Sequence, residues 1–367
     1  MNPNLAALHD AGVSIWLDDL SRAQIRSGEL ARLIAEQSVT GVTTNPTIFA
    51  AAFQNLDRYG AELAALQAAG ADAEVAIAEL MSSDVAEACR VFAPVYAESD
   101  GYDGRVSIEV SPNLAMQTQA TIDQARALYE RVDQPNVLIK IPATLPGLPA
   151  IAATVAAGIS VNATLIFSIQ RYRAVMDTYL TGLEAADAAG IDLSRIHSVA
   201  SFFISRVDTE IDSLLEKLNT DEALALRGRA GLANARLAFQ AYSEVFGSER
   251  FQTLAAKGAN LQRPLWASTG VKNPGYEDTM YVSELVARPC VNTMPARTLA
   301  AFADHGLVRA DTITGTYAEA ARTMSELRAL GIEVDAVLAK LESEGVDKFV
   351  VSWHKLVTSI TAALGKV

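Results

Sequence analysis

The sequence has few of the features that mark secreted or membrane proteins. It contains only two cysteines, Cys89 and Cys290, and they show no metal-ligand spacing. Its most apolar segments are too short to span a bilayer, and residues 1–19 lack the basic start and apolar core of a signal peptide. Because few cysteines fit a reducing compartment, we expect a cytoplasmic protein with no membrane partner.

Positive charge is also scarce. The 367 residues include 30 lysines and arginines and 43 aspartates and glutamates, which gives a net charge of −13. An acidic chain with no basic run argues against nucleic acid as a partner. It does not argue against phosphorylated small molecules, since a few local cations are enough to bind them.

Several catalytic motifs are missing. The four histidines show no pairing typical of a metal site or a catalytic triad, so no metal is expected. No G-x-G-x-x-G segment follows a predicted strand, and no G-x-x-x-x-G-K-[ST] loop is present. These absences argue against a dinucleotide-binding sheet and a P-loop nucleotide site.

Short β-like runs alternate with longer helical patterns, and half of the residues are hydrophobic. This alternation predicts βαβ units and a parallel sheet. Eight strands favour an α/β fold of the (β/α)8 TIM-barrel type, with an open doubly wound sheet as the alternative. The strands are predicted at 13–17, 39–44, 105–110, 137–141, 159–163, 196–201, 264–268 and 290–293.

Predicted helices fill the spaces between the strands. No low-complexity linker interrupts the chain, so we expect a single domain over residues 1–367. Additional helices are predicted after strand two, within 46–98, and at the C-terminus, at 316–330, 333–344 and 347–364. The other helices are predicted at 22–36, 112–132, 146–157, 168–189, 203–218, 221–246, 248–258, 273–286 and 295–304.

Along the predicted strands, one parity is aliphatic and the other is polar. Side chains alternate between the two faces of a strand, and in a barrel one face is the interior. Most of the polar residues fall at the C-terminal ends of their strands, where barrel active sites are built. The polar parity carries Asp18, Thr43, Asn45, Glu109, Lys140, Asn162, Thr164 and Ser201, and in strand seven Trp266 and Ser268.

Lys140 is the only amine in this polar set. Burial of an amine favours its neutral form, which attacks a carbonyl carbon to form a Schiff base. The resulting iminium withdraws electrons when the adjacent C–C bond breaks, so we expect no cofactor. Taken alone, a lysine at a strand end is more often structural, and the hypothesis therefore rests on its polar neighbours.

Two carboxylates accompany Lys140 on separate strands. Cleavage needs a base for a hydroxyl proton and a proton shuttle for the iminium, and Asp18 and Glu109 are able to divide these tasks. The structural alternatives are a helix cap for Asp18 and a charge partner of Lys140 for Glu109, which would hold the lysine protonated unless burial outweighs the pairing. Asn45, Asn162 and Thr164 offer neutral hydrogen bonds that suit sugar hydroxyls or a bound water. The alternative for these three residues is hydrogen bonding within the barrel interior.

Cationic residues follow the late strands, where barrel loops often bind phosphate. Arg206 follows strand six, and its planar fork matches a phosphate group. Ser268 and Lys272 follow strand seven in the segment Ser-Thr-Gly-Val-Lys. A structural salt bridge is the alternative for both cations.

Together these motifs resemble the transaldolase family of the class I, Schiff-base aldolase superfamily. The resemblance rests on segments 41–47, 106–110, 137–144, 160–168 and 201–206, which occur in the family's order. It implies that Lys140 is the Schiff-base lysine, that Asp18 takes the proton of the hydroxyl beside the cleaved bond, and that Glu109 acts with a water positioned by Thr164. It also implies a substrate lining of Thr43, Asn45, Asn162, Ser201 and Phe203, and a phosphate site of Arg206 and Ser268.

The resemblance also implies a reaction. The family moves a dihydroxyacetone unit from sedoheptulose 7-phosphate to glyceraldehyde 3-phosphate, giving erythrose 4-phosphate and fructose 6-phosphate in the pentose phosphate pathway. One position departs from the family's shorter form: Gly270 replaces an arginine, and Lys272 is expected to supply the second cation, as in the longer bacterial subfamily.

Two other functions stay open at this point. A fructose 6-phosphate aldolase would use the same site and release free dihydroxyacetone. A catalytically silent barrel would act as a binding protein instead. The expected ligands are sugar phosphates, and a homo-oligomer is compatible with the sequence.

Overall fold

The computed structural model describes residues 1–365, which form a closed barrel of eight parallel strands. Each strand pairs with the next, and the last pairs with the first, so the sheet has no free edge. The (β/α)8 prediction is confirmed, and the doubly wound alternative is wrong. The strands are β1 (Val13–Leu17), β2 (Val39–Val42), β3 (Arg105–Glu109), β4 (Val137–Pro142), β5 (Val161–Ile166), β6 (Ser198–Phe203), β7 (Gln262–Ala267) and β8 (Cys290–Met294).

Helices connect successive strands on the outside of the barrel. An N-terminal helix that the sequence analysis did not predict, α1 (Pro3–Asp10), precedes β1 and begins at a cap formed by the side chain of Asn2. The helices that follow are α2 (Arg22–Arg26), α3 (Glu29–Gln37), α4 (Pro46–Ala52), α5 (Gly60–Ala68), α6 (Ala73–Glu98), α7 (Thr118–Val132), α8 (Gly147–Ala156), α9 (Ile169–Ala188), α10 (Ser205–Leu218), α11 (Asp221–Leu224), α12 (Ala230–Phe246), α13 (Glu249–Ala255), α14 (Met280–Ser283), α15 (Ala296–His305), α16 (Tyr317–Ala329) and α17 (Val334–Leu364).

The additional helices after strand two and at the C-terminus are confirmed, but some boundaries differ. The helices predicted at 333–344 and 347–364 are one 31-residue helix, α17, which continues through Gly345. The helix predicted at 273–286 is only four residues long, because Pro274 and Gly275 form a turn there. Residues 366 and 367 of the predicted single domain lie outside the described residues.

The two strand faces pack into separate apolar clusters. Ile15, Ile108 and Ile139 point outward, away from the barrel interior, and belong to the large cluster between the barrel and its helices. Trp16 and Leu138 belong to a second cluster that includes the inward parity of the strands. The inward parity is therefore apolar in the middle layer of the barrel, while buried polar side chains lie at both of its mouths.

Strand β7 departs from the predicted parity. Trp266 packs in the outer cluster, and its indole nitrogen donates a hydrogen bond to the Leu285 carbonyl at 3.2 Å. Leu265 and Ala267 belong to the inner cluster instead. The strand ends at Ala267, and Ser268 has a left-handed φ of +56°, so strand alternation does not extend to Ser268.

None of the helices within residues 1–365 is long and apolar enough to cross a membrane.

Candidate active site

A cavity of about 300 Å³ opens at the carboxyl ends of the strands. All but two of the predicted site residues line it, although those that do come from six different strands or strand-end loops. The two that do not, Glu109 and Asn162, are buried behind its wall. The lining residues that the sequence predicted are Asp18, Thr43, Asn45, Lys140, Thr164, Ser201, Phe203, Arg206, Ser268 and Lys272.

Lys140 and Glu109 form a buried ion pair. The strand register places them opposite each other on β4 and β3, and Lys140 is only 4% exposed. Lys140 Nζ donates hydrogen bonds to Glu109 Oε2 at 2.9 Å and to the Thr44 carbonyl at 3.0 Å. Burial raises the pKa of Glu109 in spite of the opposing attraction of Lys140. The carboxylate is therefore suited to accept a proton from the ammonium group, which would leave a neutral amine.

Asp18 is held by a chain of threonine hydroxyls. Thr43 Oγ1 donates to Asp18 Oδ1 at 2.7 Å and lies 2.6 Å from Thr293 Oγ1. Protein surrounds most of the Asp18 carboxylate, and this burial raises its pKa, against the attraction of Lys140. The side chain of Ser21 caps α2, so the helix-cap alternative for Asp18 is wrong. Thr293 was not predicted, although the inward parity of β8 includes it.

Asn162 lies behind the cavity wall and is hydrogen-bonded to Ser201, which lines the cavity. Ser201 Oγ donates to Asn162 Oδ1 at 2.7 Å, and Asn162 Nδ2 donates to Ser107 Oγ at 3.0 Å. Asn162 is fully buried, so it supports the lining residue Ser201 from below in this structure. For Asn162, the structure therefore shows hydrogen bonding within the barrel interior, which was the alternative to a direct contact with substrate.

Asn45 combines a cavity position with a helix cap. Its Oδ1 accepts hydrogen bonds from the backbone N–H groups of Thr47 and Ile48 at 2.9 and 3.0 Å, and α4 begins there. Capping of this kind satisfies amide groups that have no partner within the helix. It also holds the Asn45 side chain in one orientation at the rim of the cavity.

Thr164 lies beside a strained backbone position. Its Oγ1 is buried and has no hydrogen-bond partner among residues 1–365. The next residue, Leu165, has a left-handed φ of +60° and interrupts the pairing of β5 with β6. A branched residue adopts this conformation only at an energetic cost, and such strain is concentrated at functional sites.

Arg206 is a partly buried cation that forms no ion pair among residues 1–365. Its guanidinium carbon lies 5.1 Å from the centroid of the Phe203 ring. Its Nη1 is buried and has no hydrogen-bond partner in the part of the chain that the structure describes. Burial lowers the pKa of Arg206, while Asp18 and Glu344 oppose that shift. The predicted alternative of a helix-start salt bridge is not observed among the described residues.

Other phosphate-binding candidates lie beside Arg206. Ser268 Oγ is 2.9 Å from Ser205 Oγ, and both face the loop after β7. Arg297 Nη2 donates to the carbonyl of Val271, the neighbour of Lys272, at 3.2 Å, and partial burial together with repulsion from Arg297 and Arg206 lowers the pKa of Lys272. Arg297 was not predicted, because it follows β8 by three residues and lies in no motif.

Helix α17 supplies a residue that no local pattern indicates. Phe349 lines the cavity, and its ring centroid lies 5.5 Å from Lys140 Nζ. Gly345 lets α17 pack close to the barrel, because even a Cβ atom at this position would lie 3.0 Å from Leu165 Cδ2. Phe349 and Lys140 are more than two hundred residues apart in the chain, so only the folded arrangement brings them together.

Within residues 1–365, no three His, Cys, Asp or Glu side chains are arranged to hold a metal ion. The fold and the cavity define a (β/α)8-barrel protein with a lysine amine, two carboxylates and a cluster of cations at its carboxyl mouth.

Comparison with known proteins agrees with this description. A family model described as "Transaldolase/Fructose-6-phosphate aldolase" matches residues 15–360, so the chain belongs to this family. A protein named Transaldolase from Mycolicibacterium smegmatis is 60% identical over 363 residues, which cover 99% of this chain and 98% of that protein. Proteins of the same name from Mycolicibacterium paratuberculosis and Mycobacterium marinum are 59% and 60% identical, with the same coverage.

Proposed function

We propose that the chain is a transferase that catalyses the transaldolase reaction of the pentose phosphate pathway. It would move a dihydroxyacetone unit from sedoheptulose 7-phosphate to glyceraldehyde 3-phosphate, giving erythrose 4-phosphate and fructose 6-phosphate. The observation that carries the proposal is the Lys140 amine, held 2.9 Å from Glu109 beside a cavity that Asp18 and Arg206 also line. The names of the relatives support the same activity.

The first step is formation of a Schiff base. Glu109 accepts a proton from the Lys140 ammonium group, and the neutral amine attacks the C2 carbonyl of the ketose. Loss of water from the carbinolamine then leaves an iminium. Glu109 Oε1 and Thr164 Oγ1 are both buried without a partner among the described residues, so they offer two hydrogen-bonding positions for that water.

The second step is cleavage of the C3–C4 bond. Asp18 takes the proton of the C4 hydroxyl, the C4–O electrons form the carbonyl of the departing aldose, and the C–C bond electrons move to the iminium. The three-carbon enamine stays on Lys140 until an acceptor aldehyde arrives, and the same steps then run in reverse. Thr43 holds the Asp18 carboxylate in place for this transfer.

Substrate binding follows from the remaining cavity residues. Arg206, Ser268 and Lys272 would hold the phosphate, while Thr43, Asn45 and Ser201 would bind hydroxyls above the Phe203 wall. Asn162 would position Ser201. A cytoplasmic location and a homo-oligomeric state stay predictions from the sequence.

Borohydride trapping tests the Schiff base directly. Reduction in the presence of fructose 6-phosphate should attach a three- or six-carbon adduct to Lys140, located by peptide mass spectrometry. Lys140→Met should give no adduct and no activity, whereas Lys355→Met, at an exposed lysine of α17, should behave like the unaltered protein. An active protein whose adduct lies on another lysine would contradict the mechanism.

The family description also includes fructose 6-phosphate aldolase, which releases dihydroxyacetone without an acceptor. Product formation should therefore be measured with and without glyceraldehyde 3-phosphate. Transaldolase activity requires the acceptor. Equal rates of free dihydroxyacetone release in both assays would favour the aldolase, and a folded protein without turnover would favour a binding function.

A further inference from the structure

We propose a second ligand site at the opposite, amino-terminal mouth of the barrel, which binds a small organic anion. The ligand is an oxyanion group, carboxylate or phosphate, attached to a compact apolar body. A cavity of about 420 Å³ lies at this mouth, within the size range of small-molecule sites. Its polar side includes Arg105, Arg263 and His197, and its apolar wall includes Val199, Phe246 and Phe251.

Arg105 carries a buried charge that forms no ion pair with a carboxylate of the described residues. The residue is 1% exposed, its Nε donates to the Gly101 carbonyl at 2.8 Å, and its Nη1 donates to the Pro135 carbonyl at 3.4 Å. Its Nη2 is buried with no hydrogen-bond partner among residues 1–365. A buried guanidinium is costly unless a negative charge compensates it, so this geometry calls for an anion.

Among the described residues, Asp103 is the carboxylate that forms an ion pair with this cluster, and its partner is the other arginine, Arg263. Asp103 accepts hydrogen bonds from Arg263 Nη2 at 3.2 Å and from Ser14 Oγ at 2.7 Å. Two guanidinium charges therefore face one carboxylate charge. Burial together with the positive charge of Arg105 and Arg263 lowers the pKa of His197 to about 3, which is consistent with this excess.

Two nitrogen atoms converge beside a glycine at this mouth. A Cβ atom at Gly101 would lie 3.3 Å from both Arg105 Nη2 and His197 Nε2. Gly101 thus keeps open the space that these two atoms face. The amide nitrogen of Asn260, which is 3.4 Å from His197 Nε2, already donates to the carbonyls of Ser194 and Ile196 at 2.9 and 3.0 Å.

The site is separate from the catalytic cavity. Arg105 begins β3 and Glu109 ends it, so four residues of strand, roughly 13 Å, lie between the two mouths. No residue lines both cavities. The proposal therefore stands whether or not the proposed reaction is correct.

Calorimetry with phenyl phosphate tests the proposal on the full-length protein. The titration uses Arg206→Ala as the background, so that the phosphate group does not bind at the catalytic cavity. Phenyl phosphate should bind more tightly than inorganic phosphate, and uncharged benzyl alcohol should not bind detectably. Arg105→Gln should weaken phenyl phosphate binding by about tenfold or more, because it removes the charged partner.

A cavity-filling pair keeps the test decisive if Arg105→Gln fails to fold. Ala255→Phe places a large ring in the cavity and should abolish binding, while Ala256→Phe, at the exposed neighbouring position, should leave binding unchanged. Binding that survives Ala255→Phe, or no phenyl phosphate binding at millimolar concentration, would overturn the proposal. Equal affinities for inorganic phosphate and phenyl phosphate would contradict the proposal that the ligand has an apolar organic part.

Discussion

Glu109 and Lys140 show how one contact serves two purposes. From the sequence alone, a charge pair is the alternative to catalysis, since an ion pair normally keeps a lysine protonated. In the structure the pair is buried, and burial raises the pKa of Glu109 against the attraction of the lysine. A carboxylate that gains a proton more readily is a suitable acceptor for the ammonium proton, so pairing and reactivity are compatible.

Arg206→Ala tests the phosphate site at the scale of one residue. Removing a buried guanidinium that pairs with phosphate should lower kcat/KM for fructose 6-phosphate by about 100-fold, mainly through a higher KM. Arg173→Ala removes an exposed arginine of α9 and should change neither constant. Steady-state kinetics check both, and a fall in kcat at unchanged KM would rule out a phosphate role.

The raised pKa of Asp18 predicts a pH effect on activity. In the proposed mechanism Asp18 must be ionised to accept the hydroxyl proton, and burial raises its pKa above the value of an ordinary aspartate, about 3.9. As the pH falls through that raised pKa, the base is lost, so the acid limb of kcat/KM should lie above pH 4. A profile that stays flat down to pH 4 would show that Asp18 is not the base.

Helix α17 forms part of the cavity wall. It places Phe349 beside Lys140, and its Ser352 hydroxyl lies 2.9 Å from Thr47 Oγ1 at the start of α4. Arg171 and Glu342 form a further ion pair that joins α9 to α17 at 3.0 Å. A C-terminal helix thus closes one side of a site whose chemistry comes from the strands.

Gly345→Val tests this packing. The added side chain would meet Leu165 and Arg206, since even a Cβ atom would lie 3.0 Å and 3.7 Å from their side chains. Overpacking should lower the free energy of unfolding by about 1–3 kcal/mol and reduce activity. Ala339→Val on the exposed face of α17 is the matched control and should preserve activity. Urea denaturation and kinetics measure both, and an active, equally stable Gly345→Val would contradict the close approach.

At the scale of the molecule, Asp208 connects three helices near the carboxyl mouth. It lies on α10, accepts a hydrogen bond from the Gly231 amide of α12 at 2.8 Å, and accepts another from the Tyr281 hydroxyl of α14 at 2.7 Å. Burial raises the pKa of Asp208 from 3.8 to about 6. Its protonation therefore affects the stability of the fold.

The sign of this effect follows from linkage. Between pH 4 and 6 the native protein binds the Asp208 proton more tightly than the unfolded chain, so the stability from this group is lost as the pH rises through 6. The loss in the free energy of unfolding should total about 3 kcal/mol, which is the rise in the pKa of Asp208 expressed as free energy. Relative to Asp208→Asn, the wild-type free energy of unfolding should fall by that amount from pH 3.5 to 7.

Urea denaturation at several pH values measures the difference between the two proteins. Asp123→Asn, at an exposed aspartate of α7, is the control and should show no such change. A constant difference between wild type and Asp208→Asn would contradict the raised pKa.

The sequence by itself determined the strands and, within them, the face on which the polar residues of β3 to β6 lie. Alternation along a strand is a local property of the backbone, so Lys140, Glu109 and Ser201 were correctly assigned to the barrel interior. The failures were also local. Strand β7 ends before Ser268, so the alternation counted back from Ser268 gave Trp266 the wrong face. The turn at Pro274 and Gly275 shortens a predicted helix.

Only the tertiary structure decided which residues meet. The contact of Phe349 with Lys140 and the approach of Gly345 to Leu165 depend on how α17 packs against a closed barrel. The unpaired charge of Arg105 depends on where Asp103 finds its own partners. The burial of a side chain and its ion pairs depend on neighbours that are distant in the chain. A strand pattern therefore places a side chain on a face but does not specify its surroundings.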